Sequence, residues 1–220
     1  MKILGIGNAI VDVICKVDDE FIKTNNLTKG LMKLIFDQGE FSNLLSNLKI
    51  EKTISGGSVA NSIVGLSQLG DKVGFIGKIS DDDFGIKYEE GLKKENVNFF
   101  YTKKKEILPT GTCLILITPD SERTMCTFLG TAGKISKNDL DANVIKKSDL
   151  VFLEGYLWDE GDPKEAFEKA INLANKSAMD LEEALSEQNL NVKSLQIFAS
   201  PKPGFDKSWS CELSNLDAEV

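Results

Sequence analysis

Short apolar runs alternate with amphipathic ones along most of this chain, and no other feature narrows its fold as far. Lys2 to Gly7 (KILGIG) reads as a buried strand, and AIVDVI prolongs it with the same apolar-rich texture. In QGEFSNLLSNLK, Phe41, Leu44, Leu45 and Leu48 fall at the i, i+3, i+4, i+7 spacing of one helix face. Glu51 to Ile54 predicts a short strand, Ser58 to Leu69 a helix stopped by Gly70, and DKVGFIGKI another strand. ISDDDFGIKYEEGLKKENV opens a helix with carboxylates at its positive end. Ser148 to Leu153 is strand-like again, and Asp162-Pro163 begins a long helix with a cap and a proline in its first turn. Strands alternating with helices build a mainly parallel sheet, so the expected class is α/β.

Two segments depart from this rhythm. From Phe99 to Leu129 the chain is rich in β-branched residues and turn signals, Pro109-Thr110-Gly111 and Pro119-Asp120-Ser121, which predict two or three strands joined by hairpins. Beyond about Asn189 the helical pattern stops. Residues 177–220 carry eight acids and three lysines, so that end supplies −5 of the net charge of −8.

Charge and composition remove several function classes. A net charge of −8 argues against a nucleic-acid binder, and Lys103-Lys104-Lys105 is too short a basic run to reverse it. Asp12 interrupts the N-terminal apolar run and no small-residue cleavage site follows, unlike a secretory signal. No apolar stretch reaches membrane-spanning length. Cys15, Cys113, Cys126 and Cys211 have no paired spacing and read as reduced thiols of a cytoplasmic protein. There is no histidine, which removes Ser-His-Asp and Cys-His catalysis and the commonest metal ligand.

Within that frame a few polar residues stand out. In TISGGSVANSIVGLSQLG, Gly56 and Gly57 join a short strand to a helix. They make either a tight turn and nothing more, or a turn whose free amides face an oxygen-rich ligand. Asn61, one turn into that helix, is placed to bond a polyol if it faces the strand ends. Asn8 and Asp12 are four apart on an apolar segment, so a continuous strand would point them the same way. Asp12 is costly to bury without partners. It reads either as a turn cap or as an acceptor for two neighbouring hydroxyls, as a sugar diol offers. Open α/β sheets bind ligands at the carboxyl ends of their strands, where both groups should lie. Arg123 begins a strand after a turn, as a surface residue or as a cation near a ligand's phosphate. DDDFG reads as a helix cap. GIG at Gly5 to Gly7 is not a dinucleotide fingerprint, because position 10 is Ile10 and a strand, not a helix, follows.

GNAIVDV, SGGSVANSIVGLSQLG, GFIGKISDDDFG, TGTCLILITPDSERTMCTFLG and DLVFLEGYLW, in that order, resemble the ribokinase-like, or PfkB-type, carbohydrate and nucleoside kinases over about residues 1–176. The chain is most similar to the adenosine-kinase-like branch, because Ser58 stands where sugar-kinase members tend to carry lysine. The resemblance implies a three-layer α/β domain with a small β-sheet lid, here built from residues 11–17, 31–36 and 99–116, through which a homodimer could form. It implies ATP-dependent phosphorylation of a sugar hydroxyl on a nucleoside or carbohydrate, with magnesium. Asp12 would hold the hydroxyls, Asn8, Gly56, Gly57, Ser58 and Asn61 would line the pocket, and Arg123 would lie near the reacting phosphate.

The family's D-T-x-G-A-G-D segment, which supplies the anion hole and the general base, is absent, as is its N-x-x-E element. No catalytic or metal-binding residue is therefore named. Phosphoryl transfer depends on such positioning and electrostatic parts. The expectation is a truncated or frameshifted kinase, incomplete on its C-terminal side, with residues 177–220 a divergent tail. The alternatives are a non-catalytic nucleoside- or sugar-binding module and a non-functional fragment.

Overall fold

The computed structural model of the chain describes residues 2–157, 161–186 and 198–200. In chain order the elements are β1 (Lys2–Ile6), β2 (Ile10–Lys16), α1 (Asp19–Thr24), β3 (Met32–Ile35), α2 (Gln38–Ser46), β4 (Ile50–Gly56), α3 (Ser58–Gln68), β5 (Lys72–Ile76), α4 (Asp83–Lys94) and β6 (Asn98–Phe99). They continue with β7 (Gly111–Ile117), β8 (Arg123–Phe128), α5 (Ala142–Lys146), β9 (Leu150–Glu154), α6 (Asp162–Ser186) and β10 (Phe198–Ser200).

Two sheets result. The first, in the order β10-β9-β1-β5-β6, is parallel throughout. Apolar residues leave β1 in both directions, as a sheet covered on both faces requires. Ile3, Val73 and Phe75 join Val59 and Ile63 of α3 and Tyr88 and Leu92 of α4 in one core. Leu4, Ile6, Ile76, Val151 and Leu153 join Ile145 of α5 and Phe167, Ala170 and Ala174 of α6 in another. This is the expected three-layer α/β architecture. α6 runs unbroken past Lys176, and β10 then adds to the sheet beside β9.

The second sheet, in the order β3-β8-β7-β2-β4, is mixed. β7 and β8 form the expected hairpin, antiparallel, with the Thr118 hydroxyl donating to Asp120 at 2.7 Å in its turn. This sheet takes in more of the chain than the three segments anticipated for a lid. β4 pairs with β2 and β8 with β7, whereas Asn98–Phe99 pairs with β5 of the first sheet. The reason is visible in the pairing: Phe99 stacks on Phe75 and meets Tyr88 edge-on in the first core.

The apolar run that begins the chain is two strands and not one. β1 ends at Ile6, and β2 starts at Ile10 in the other sheet. Between them Gly7 and Asn8 cross from sheet to sheet. The glycines of GIG are there for packing: a Cβ at Gly5 would stand 2.6 Å from Val59 and Ile63, and one at Gly7 2.8 Å from Glu154 Oε2. DDDFG is a cap, as its composition suggests. Asp82 accepts from the Gly85 amide at 2.8 Å and also from the amide and hydroxyl of Thr110, tying α4 to the start of β7.

Candidate functional site

The crossing from β1 to β2 lies at the carboxyl end of the first sheet, and three elements converge on it. β1 delivers Asn8, the β4–α3 junction delivers Gly56, Gly57 and Ser58, and β9 ends in Glu154. Because β2 starts immediately beyond, its side chain Asp12 reaches the same place from the second sheet.

The glycine pair makes this convergence possible. Gly57 has φ +100°, where a side chain is strained, and a Cβ there would collide with the Asn8 carbonyl oxygen. A Cβ on Gly56 would collide with the Asp12 carboxylate. So Asn8 packs against one glycine and Asp12 against the other. The bond from β4 into α3 holds the two together, in place of the shared strand face expected from their spacing, which the break at residues 7–9 removes. From the buried side, the Tyr88 hydroxyl donates to the Gly56 carbonyl at 3.2 Å.

Asp12 is half-buried, and burial alone raises its pKa to about 6, with no cation beside it to oppose the shift. Asn8 is 5% exposed, and its Oδ1 is buried without a hydrogen-bond partner. An orphaned buried acceptor beside an unpaired carboxylate is the kind of exception that calls for an explanation, and a ligand donor supplies one. Ser58 and Asn61 lie on the exposed side of α3, one turn apart, while Val59, Ala60 and Ile63 are buried.

Arg123 is not part of this cluster. Pairing places it beside Ile117 and at the level of Lys16, whereas Asp12 is level with Cys113 and Thr127. Four residues of strand separate the two levels, about 13 Å along the sheet. Arg123 is exposed at the hairpin end, because β8 runs antiparallel to β7 and starts at the far turn.

Glu154 is the residue that the sequence does not flag. It is 2% exposed and accepts from the Asn8 amide at 2.6 Å and from the Ser58 hydroxyl. Burial pushes its pKa up, while hydrogen bonds from Asn8 and Ser58 pull the other way. Tyr88, wholly buried, has its hydroxyl pKa raised by burial first and then by Glu154 and Asp12, so both carboxylates bear on one point. The only sequence signal for Glu154 was an acid closing an apolar strand, in LVFLE.

Among the described residues no group of three His, Cys, Asp or Glu side chains could hold a metal ion, and no helix is long and apolar enough to cross a membrane.

Comparison with known proteins identifies the family and the fold. The profile of the pfkB family carbohydrate kinases matches residues 6–197, reaching beyond Lys176. A 5-dehydro-2-deoxygluconokinase from Clostridium perfringens is 32% identical over 162 residues, 72% of this chain and 48% of that protein. The adenosine kinase from Sinorhizobium meliloti superposes with a TM-score of 0.72 at 33% identity, over 80% of this chain and 54% of its own. A probable sugar kinase from Rhizobium etli gives 0.71 at 32% identity, over 80% and 53%. The chain thus spans about half the length of the relatives it matches. With 192 of its residues inside the family profile, the chain belongs to the pfkB family of carbohydrate kinases.

Proposed function

We propose that these residues form the hydroxyl-binding half of a kinase that transfers a phosphoryl group from ATP to a hydroxyl of an adenosine-like nucleoside or a carbohydrate. The observation that carries this reading is the apposition of Asp12 and Asn8 across Gly56 and Gly57. Asp12 and the Asn8 Oδ1 are acceptors without protein partners, and a side chain on Gly56 would run into the Asp12 carboxylate while one on Gly57 would run into the Asn8 backbone carbonyl. A vicinal diol donates two hydroxyl protons, and an ionised carboxylate can accept both. Ser58 and Asn61 extend the polar rim along α3. Arg123 has no part in this arrangement.

ATP and a divalent metal are implied by the family, but the described residues do not fit them. They contain no cluster of metal-ligating side chains, and the 220 residues contain no D-T-x-G-A-G-D segment. The same missing segment favours a second reading for the chain by itself, a nucleoside- or sugar-binding module without turnover.

Titration of the purified chain with adenosine, alongside an assay for phosphorylated adenosine in the presence of ATP and magnesium, tests both. Saturable binding weakened about tenfold or more by Asp12→Ala, without turnover, is the expected result. Turnover that Asp12→Ala abolishes would contradict the binding-module reading, and binding indifferent to Asp12→Ala would contradict the site.

A further inference from the structure

Glu154 determines which hydrogen-bonding groups the site has left to offer. Its carboxylate accepts from the backbone N–H of Asn8 and from the Ser58 hydroxyl, and the Asn8 side chain and the Ser58 backbone also act on it to favour its charged form. A serine hydroxyl has one proton, so with that proton on Glu154 only lone pairs remain for a ligand. The Asn8 amide nitrogen turned to Glu154 leaves Oδ1 as the free end, and that oxygen is the one without a partner. Asp12, when ionised, accepts only. Three side chains of the site therefore present acceptors.

Glu154 also occupies a particular place. The first amides of α3 carry the partial positive charge that draws phosphates and carboxylates to helix N-termini. Here a carboxylate of the chain's own, Glu154, already holds the hydroxyl of Ser58, the first residue of α3. Among the described residues no salt bridge offsets it, and the buried Lys78 is committed to Asp139 at 3.2 Å and Glu106 at 3.7 Å. An anionic ligand would find one carboxylate, Glu154, already at the start of the helix and another, Asp12, against Gly56.

We infer that Glu154 makes this site select an uncharged polyhydroxy ligand, whose hydroxyls donate to Asp12, Asn8 and Ser58, over a sugar acid of similar size. The inference rests on the site being a polyol site, and it divides two ligand classes that the family's fold alone does not divide.

The test is calorimetric titration of the full chain with adenosine, D-ribose and D-gluconate, on the wild type, Glu154→Gln and Ser58→Lys. Gluconate should bind the wild type about tenfold or more weakly than ribose, since facing like charges oppose it. Glu154→Gln should raise gluconate affinity by about tenfold while moving the neutral ligands less. Ser58→Lys puts a cation beside Glu154 at an exposed position, so it should give the same gain even if the buried substitution prevents folding. Wild-type chain binding gluconate as tightly as ribose, or neither variant gaining gluconate affinity, overturns the inference. If adenosine and ribose do not bind at all, the polyol reading falls and this inference with it, whereas ribose bound no better than gluconate overturns the inference alone.

Discussion

The two sheets of this chain differ in what covers them. Around β1 of the first sheet both faces are buried: Ile3, Leu4 and Ile6 are at most 3% exposed although they point alternately toward α3 and toward α6. In the second sheet one face is buried and the other is open. Val11, Val13 and Cys15 are at most 1% exposed, whereas Ile54, Met32 and Met125 on the opposite face are 36–54% exposed. Asp12 belongs to that open face. The first sheet is therefore a fixed wall that holds Asn8 and Glu154, and the second is a thinner layer that brings one carboxylate up to it. The site is where the chain passes from one to the other, so its geometry is set by the better-packed sheet and its access by the other.

The largest effect that could break this comparison is a truncation in the wall. Phe75 is fully buried against Tyr88 and Phe99, and Phe75→Ala should cost about 3–5 kcal/mol in a urea unfolding titration. Ile54→Ala on the open face should cost about 1 kcal/mol or less. Equal losses would mean that the open face is packed in solution.

A smaller effect is expected at the seam. Gly57→Ala forces a side chain to φ +100° and into the Asn8 carbonyl, and should cost about 1–3 kcal/mol on thermal or urea unfolding. A neutral result would show that the junction relaxes freely and does not hold Asn8.

The smallest change in stability should have the opposite sign. Burial pushes the Asp12 carboxyl up from its ordinary 3.8 to about 6, so ionising it costs more in the folded chain than in the unfolded one. That penalty is absent below pH 4, grows as pH rises through the interval, and is complete above about 6. Asp12→Asn should therefore raise the melting temperature at pH 7.5 and leave it unchanged at pH 3.5. A lower melting temperature at pH 7.5 would reveal a partner for Asp12 and remove the reason to place a ligand there. The same variant should lose ligand affinity, a stability gained at the expense of binding.

Much of this was legible in the sequence, for reasons that can be named. The helices α3, α4 and α6 announce themselves by spacing and by Gly70, Asp82 and Asp162-Pro163, all local signals that tertiary packing did not override. Gly56 and Gly57 were legible because few backbones need two glycines between a strand and a helix. What escaped depends on contacts between residues far apart in the chain. Glu154 meets Asn8 across 146 positions and Ser58 across 96, and nothing local to LVFLE encodes that. The break at residues 7–9 was hidden because apolar strands on either side read as one run. The distance of Arg123 from this cluster was hidden because a residue's height on a hairpin follows from pairing register, which its own surroundings do not reveal.

The central claim is that the seam between the sheets, and not the hairpin end, is the binding site. Amide chemical shifts of the nitrogen-labelled chain during an adenosine titration test it most directly. The account predicts saturable shifts at Asn8, Asp12, Gly56, Gly57 and Ser58, with Arg123 and Met125 unmoved. Shifts concentrated at Arg123 and the Thr118–Glu122 turn, with Gly56 and Gly57 still, would contradict it.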